Sequence, residues 1–221
     1  MNKKFWAVIA VIAVVFVAFL WFAGKKNSGQ NGGTQVQATN HVEGNLSSKV
    51  TLVEYGDFQC PVCGAYYPVV KQLYDKYQST VKFQFRNLPL SQIHPNAFAA
   101  ARAAEAASNQ GKFWQMYDML YSNQSAWAEG SASSAQNYFN QYAQQLGLDM
   151  AKFQTDFASD GVNTAINNDI TTFKNTGNTM ATPTFFLNGK KLDLKTLVDG
   201  TTGQPQLSLF SKQLDVALKQ K

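Results

Sequence analysis

Two cysteines separated by two residues place the strongest constraint on the fold of this chain. Cys60-Pro61-Val62-Cys63 holds its only cysteines and falls between the apolar segment Val50–Tyr55 and a run of helical periodicity that begins at Pro61. A cysteine at the start of a helix lies where unpaired N–H groups and the helix dipole stabilise a thiolate. Proline suits the first helical turn, because the amide hydrogen that it lacks would have no partner there. The sequence therefore predicts a strand, a redox-active dithiol and a helix in immediate succession.

The positions of the two sulfurs predict unequal roles. We expect Cys60 to be the exposed, low-pKa sulfur that attacks, and Cys63, one turn further in, to be the buried sulfur that resolves the mixed disulfide. A structural disulfide and half of a zinc site are the other interpretations. The disulfide would close too short a loop to add much stability, and His41 and His94 lack the spacing of a second ligand pair. Neither a metal nor another cofactor is expected.

Hydrophobic periodicity on both sides of the motif predicts strands and helices. Val50–Tyr55 is rich in β-branched and apolar residues, and Val81–Arg86 alternates apolar and polar residues, so both are predicted strands. The predicted helix from Pro61 connects them, which implies a parallel pair with a right-handed crossover. From residue 96 to 176 the periodicity is helical throughout, and its apolar stripes are explained by core packing.

The last part of the chain returns to strand and helix. Thr184–Leu187 and Lys190–Leu194 are the predicted strands of a hairpin, because the Asn188-Gly189 pair between them is favoured in two-residue turns. An amphipathic helix is predicted over Ser208–Leu218. Strands on both sides of an inserted helical region indicate a mixed, layered α/β fold.

Two further positions suit a dithiol site. Pro183 begins the strand before the hairpin, where a cis-proline would present backbone to a substrate chain; an ordinary trans-proline at a strand start is the alternative. Glu54 lies in the first predicted strand, six residues before Cys60. Its side chain either points under the active site and accepts the proton of Cys63 during exchange, or is a solvated carboxylate on an edge strand.

A long apolar run near the amino terminus predicts a membrane anchor. Phe5–Ala23 contains 19 consecutive apolar residues, and a helix of this length spans about 28 Å, close to a hydrocarbon core of roughly 30 Å. A cleaved signal peptide is the alternative, but its apolar region is normally about 7–15 residues long, and Trp21 is unfavourable near a cleavage site. We predict a single-pass signal anchor over residues 1–24, with the catalytic domain on the extracytoplasmic side of the cell membrane.

Residues 25–45 have the composition of a flexible linker. They are mainly Gly, Ser, Asn, Gln and Thr, which bury too little apolar surface to offset the entropy of ordering. His41 lies in this segment and is expected to be solvated. The folded domain is then predicted over residues 46–221, with a net charge of +2. Such a charge argues against a nucleic-acid partner, because nucleic-acid-binding domains carry a clustered basic face.

These features together resemble the thioredoxin fold. The shared elements are a strand, a CPxC motif at a helix start, a proline eight positions after the first cysteine (Pro68) and a Thr-Pro pair before the hairpin; VEYGDFQCPVC and MATPTFFLNG are the specific parts. Pro183 follows Cys63 by 120 positions. This separation is longer than in a plain thioredoxin and implies a helical insertion at about residues 96–176. The chain is therefore similar to the DsbA-like thiol-disulfide oxidoreductases, especially the membrane-anchored bacterial type, over about residues 46–220.

Carried over by position, the resemblance implies roles for seven residues. It implies a redox-active disulfide between Cys60 and Cys63, with Cys60 as the nucleophile and Cys63 as the resolving thiol. It also implies that Pro183 is the cis-proline and Glu54 the buried acid of the catalytic site. The residues that it places against substrate are Pro61, Val62, Thr182 and Pro183.

The resemblance implies an enzyme that introduces disulfides into exported proteins. Reduced exported proteins would be its substrates, and a quinone-linked membrane oxidoreductase would reoxidise it. The best-known members carry histidine where this chain has Val62, so a reductase or isomerase that uses the same site stays open. A tethered binding module with a structural disulfide is an alternative from another class.

Overall fold

A mixed five-stranded sheet forms the centre of the computed structural model, which describes residues 39–220. The strands are β1 (His41–Gly44), β2 (Thr51–Gly56), β3 (Lys82–Asn87), β4 (Thr184–Leu187) and β5 (Lys190–Lys191). Their order across the sheet is β1-β3-β2-β4-β5. The central strand β2 runs parallel to β3 and antiparallel to β4, while β1 and β5 form antiparallel edges. The mixed α/β fold predicted from the sequence is confirmed.

Eight α-helices and one short 3-10 helix accompany the sheet in residues 39–220. They are α1 (Pro61–Tyr77), α2 (Ala97–Ser108), α3 (Phe113–Ser122), α4 (Gln124–Trp127), α5 (Ala132–Gln145), α6 (Met150–Phe157), α7 (Asp160–Lys174), the 3-10 helix Leu194–Thr196 and α8 (Leu207–Lys219). The predicted helical insertion is confirmed, since α2 to α7 separate β3 from β4. The alanine-rich α2 packs against α3, α6 and α7, because small side chains allow helices to approach closely.

The parallel pair predicted around the dithiol is confirmed. In β2 and β3, Leu52 lies opposite Phe83 and Glu54 lies opposite Phe85. Helix α1 connects the two strands and begins at Pro61, as expected. Its buried residues, spaced by three, four and seven positions along one face, are Cys63, Tyr66, Leu73 and Tyr77. This face holds the second cysteine inside the protein while the first lies at the helix end.

The second strand of the hairpin is shorter than predicted. β5 ends at Lys191, whereas the prediction extended the strand to Leu194. The Asp193 side chain accepts a hydrogen bond from the N–H of Lys195 and starts the 3-10 helix Leu194–Thr196, so the local cap stops the strand. The turn itself is as expected, with both Asn188 and Gly189 at positive φ (51° and 80°).

The prediction of a flexible linker over residues 25–45 is wrong for residues 39–45. The N–H and the hydroxyl of Thr39 donate to the buried Asp169 carboxylate at 2.8 and 2.6 Å, and β1 follows immediately as an edge strand. The domain therefore begins before residue 46. Hydrogen bonds from Thr39 to a buried carboxylate and the pairing of β1 with β3 order this polar segment.

The expectation that His41 is solvated is wrong as well. Its Nε2 lies 2.7 Å from Glu105 Oε1, and its ring stacks on Phe113 with the ring centroids 3.5 Å apart. Glu105 also accepts from the Asn87 side chain at 2.6 Å. The polar partner and the aromatic contact together hold β1 against the inserted helices.

The predicted signal anchor over residues 1–24 lies outside the described residues, and so does the first part of the predicted linker. Between Thr39 and Gln220, no helix has both the length and the apolar character that crossing a bilayer requires. The folded part that the structure describes begins at Thr39.

Candidate active site

The dithiol lies where β2 ends and α1 begins. Cys60 is the N-cap residue of α1, with an extended backbone (φ −65°, ψ 121°), and its carbonyl accepts from the N–H of Gly64 at 3.1 Å. Cys60 is 5% exposed, Cys63 is fully buried, and the two thiols are unbridged. The expected exposure of Cys60 is therefore wrong, whereas the expected burial of Cys63 is found.

The loop before β4 brings Thr182 and Pro183 to the first cysteine. The Thr182–Pro183 peptide bond is cis, and the Cys60 Sγ donates to the Thr182 carbonyl at 3.5 Å, although 122 residues separate the two in sequence. The Thr182 hydroxyl is buried and accepts or donates no hydrogen bond within the described residues. Pro183 itself is buried at the start of β4.

The two thiols have opposite pKa shifts. The pKa of Cys60 is lowered to about 6, first by the hydrogen bond from the Cys63 thiol and further by Thr182 and by the N–H groups of Cys63 and Val62, which outweigh the effect of burial. Burial raises the pKa of Cys63 well above its ordinary value, and the neighbouring Cys60 raises it further. These are the directions expected for an attacking Cys60 and a resolving Cys63.

Glu54 is a buried acid in the central strand. It is 6% exposed, and burial raises its pKa to about 8, against the lowering effect of the Tyr117 hydroxyl, which donates to it at 3.4 Å. The alternative of a solvated carboxylate on an edge strand is wrong, because β2 has neighbours on both sides. The charged form of this carboxyl raises the pKa of Cys63, so the two groups interact electrostatically. With a pKa of about 8, Glu54 is mainly protonated at neutral pH.

A second buried acid, Asp57, was not predicted from the sequence. Its carboxylate accepts from the N–H groups of Gln59 and Leu90, both at 2.8 Å, and lies 2.6 Å from His94 Nδ1. It thereby fixes the loop that leads into Cys60 and joins it to the loop after β3. No local pattern marks this pairing, because His94 is 37 residues away. Among residues 39–220, no three His, Cys, Asp or Glu side chains are grouped as a metal site would need.

Gln124 of the helical insertion also holds the active-site loop. Its side-chain amide donates to the carbonyls of Phe58 and Cys60 at 2.7 and 2.9 Å. A Cβ at Gly64 would collide with the Gln124 carboxamide, so the glycine after the second cysteine leaves room for this contact. The insertion therefore takes part in shaping the site.

The dipeptide between the cysteines faces solvent. Pro61 is exposed and Val62 is 48% exposed, so a bound chain can contact both. With Thr182 and Pro183 beside Cys60, the structure brings the residues expected to bind substrate to one place. Glu54 lies in the central strand and acts electrostatically on Cys63.

The fold and the paired thiols define the class of thioredoxin-like oxidoreductases, and a DsbA-type fold in particular. The chain belongs to the thioredoxin family, since the family model described as Thioredoxin matches residues 36–202. Among solved structures, it is similar to a thioredoxin-like oxidoreductase from Silicibacter pomeroyi, with 26% identity, a TM-score of 0.65, and coverage of 81% of this chain and 92% of that chain.

Two further structures have the same fold at lower identity. They are α-DsbA1 from Wolbachia pipientis (20% identity, TM-score 0.67, 83% of this chain and 93% of that one) and BdbD from Bacillus subtilis (20% identity, TM-score 0.65, 81% and 93%). Curated relatives include the Na⁺/H⁺ antiporter NhaA 1 of Salinispora arenicola, 37% identical over 152 residues, and NhaA 3 of Salinispora tropica, 38% identical over 152 residues. The match covers 69% of this chain but only 22% of either antiporter.

Proposed function

We propose that this protein is a membrane-tethered, extracytoplasmic thiol-disulfide oxidase that introduces disulfides into exported proteins. The observation that carries the proposal is the pair of thiols with opposite pKa shifts. The thiol with the lowered pKa, Cys60, contacts the Thr182 carbonyl beside the cis-proline. A structural disulfide would need neither a stabilised thiolate nor a buried acid next to the second sulfur. The family membership and the DsbA-type fold support the same chemistry.

In the first step, a substrate thiolate attacks the Sγ of Cys60 in the oxidised enzyme. A sulfur–sulfur bond forms between substrate and Cys60, and the bond between Cys60 and Cys63 breaks. Cys63 is a poor leaving group as a thiolate, because burial raises its pKa. Glu54, with a pKa of about 8, carries a proton at pH 7 and donates it to the departing sulfur.

In the second step, another substrate thiolate attacks the substrate sulfur of the mixed disulfide. The substrate disulfide forms and Cys60 leaves with the electron pair of the broken bond. Its pKa of about 6 makes it a good leaving group, since thiols of lower pKa leave faster. The enzyme has then gained two electrons, and a quinone-linked membrane oxidoreductase would take them and restore the disulfide.

One observation favours a reductase or isomerase as the second candidate. Val62 offers no side-chain donor or charge to the Cys60 thiolate, although its exposed position beside the sulfur would allow one. A less stabilised reduced form lowers the reduction potential and makes the protein a weaker oxidant. The same residues would then act in the opposite direction, with electrons supplied to Cys60 and Cys63.

Two measurements test the proposal on the full chain in its native membranes. With Cys63→Ser, we expect mixed disulfides with exported proteins to accumulate, because Cys60 captures partners that internal attack cannot release. With Cys60→Ser, the matched control, none should form. Equal trapping by both variants would contradict the assignment, and no trapping by either would contradict the activity. The equilibrium with glutathione then separates an oxidase from a reductase, since a potential as low as that of thioredoxin, about −270 mV, would favour reduction.

A further inference from the structure

A small cavity, lined in part by Glu54 of the active site, lies between the sheet and helices α1 and α3. About 20 Å³ of it is open to the centres of water molecules, which is enough for one water. Its walls are mostly apolar, but Glu54, Glu43, Lys71 and Tyr117 also line it. A water in such a place is held by two to four polar partners, and these four side chains supply them.

The strand register places the two glutamates on the same face of the sheet. Glu43 of β1 lies opposite Phe83 of β3, and Glu54 of β2 lies opposite Phe85, two residues further along. Because β3 lies between β1 and β2, the two glutamates are two strand spacings apart across the sheet and two residues apart along it. The distance between their Cα atoms is therefore about 12 Å. Two extended glutamate side chains with one water between them span this distance. The geometry connects a buried carboxyl to one at the edge of the sheet.

The charges around Glu43 suit a group that gains and loses a proton near neutrality. Burial raises its pKa to about 7; Lys71 of α1 opposes the shift, while Asp118 of α3 and Asp75 of α1 add to it. Lys71 is itself paired with Asp118 at 3.0 Å. The pKa of Glu54, about 8, lies about one unit higher, so a proton has similar affinity for either carboxyl.

We propose that Glu43 exchanges protons with Glu54 through this cavity, and so connects the buried acid of the active site to solvent. The proposal rests on the thiol-disulfide exchange proposed above. During substrate oxidation a proton passes from solvent to Glu43, through the water to Glu54, and from Glu54 to the departing Cys63 thiolate. When Cys63 attacks instead, the proton takes the opposite course. Only O–H and S–H bonds change along this path, and Glu43 touches neither sulfur.

The position of the sulfurs explains why such a path is needed. Cys63 is fully buried and Cys60 is 5% exposed, so a substrate bound to Cys60 covers the remaining opening. Glu54 is only 6% exposed, whereas Glu43, which lines the same cavity, is partly buried. The proton therefore enters from the opposite end of the cavity, at the edge strand that follows the amino-terminal segment.

The test is a stopped-flow reaction of the reduced full chain with an excess of an aromatic disulfide. The first equivalent of aromatic thiol reports attack by Cys60. The second, whose rate is independent of reagent concentration, reports attack by Cys63 on the mixed disulfide. In the wild type, the second rate should rise with pH through an inflection near pH 7, as Glu43 becomes able to accept a proton.

Glu43→Gln should slow the second release on the order of tenfold at neutral pH and remove this inflection, while the first release is unchanged. The loss is smaller than the 10²–10⁴ typical of a general acid or base that touches the reacting atom. Glu129→Gln, the matched control on the exposed surface, should leave both phases unchanged. Lys71→Met should move the inflection to higher pH, because it removes the charge that lowers the pKa of Glu43.

Glu43→Asp separates proton exchange from a structural role. It keeps a carboxyl, so it should retain the inflection with a second release faster than that of Glu43→Gln. Equal slowing by both variants, or an unchanged second phase in Glu43→Gln, would overturn the inference while leaving the proposed function in place. If the wild type released only one equivalent, the proposed function itself would fail.

Discussion

Replacing Val62 with His tests what sets the redox balance of this site. Val62 is 48% exposed, so an imidazole can take its place without disturbing the core. The N–H of Val62 already lowers the pKa of Cys60, which shows how close this residue lies to the sulfur. A histidine side chain adds a donor there, and a positive charge while it is protonated.

The exposure of this position limits the size of the effect. Solvent screens a half-exposed charge, so we expect the pKa of Cys60 to fall from about 6 by about one unit. One unit corresponds to about 1.4 kcal/mol of thiolate stabilisation and to about 30 mV in a two-electron couple. Because the thiolate belongs to the reduced form, the potential should rise. The rise should be larger at pH 6 than at pH 8, since an ordinary histidine loses its charge near pH 6.5.

Thiolate absorbance against pH and the glutathione equilibrium measure the two quantities on the same preparation. Val62→Ala is the matched control, because it provides no donor and should leave both values in place. The pKa and the potential must shift together, since one stabilisation drives both. An unchanged or more negative potential in Val62→His would refute the reasoning and show that the exposed dipeptide does not set the potential.

Glu54→Gln removes the proton acceptor of Cys63, so the second release of aromatic thiol should slow by about 10²-fold. The pH dependence of Cys60 alkylation should keep its midpoint near pH 6. An unchanged second release would exclude Glu54 from the reaction. Asp169→Ala removes the acceptor of Thr39 and the ion-pair partner of Arg86, and should lower the free energy of unfolding by about 3–5 kcal/mol in urea titrations. Asp160→Ala, at an exposed position of the same helix, should cost far less, and equal losses would contradict the role of the buried carboxylate.

The parts of the fold that could be predicted from sequence are those with local signals. The parallel pair was predicted from two strand patterns with Pro61 at a helix start between them. The predicted bounds of both strands agree with the structure within one residue at each end. The Asn188-Gly189 pair identified the hairpin turn. The thiols and Pro183 were found because their residue types and order are distinctive.

The parts that escaped prediction depend on contacts between distant residues. Thr39 and Asp169 are 130 residues apart, and His41 and Glu105 are 64 apart. The composition of residues 39–45 is polar, but composition cannot show that these residues bind buried carboxylates far away in the sequence. The near-complete burial of Cys60 has the same origin, since the loop that approaches it lies 122 residues away.

The contact between Gly64 and Gln124 has a consequence for exchanging parts between related enzymes. The helical insertion is not independent of the rest of the domain, because its Gln124 amide satisfies two carbonyls of the catalytic loop. A Cβ at position 64 would occupy the space of that amide. A chimera that carries a foreign insertion therefore needs matching residues at positions 64 and 124. In a set of homologous sequences, these two positions should vary as a pair.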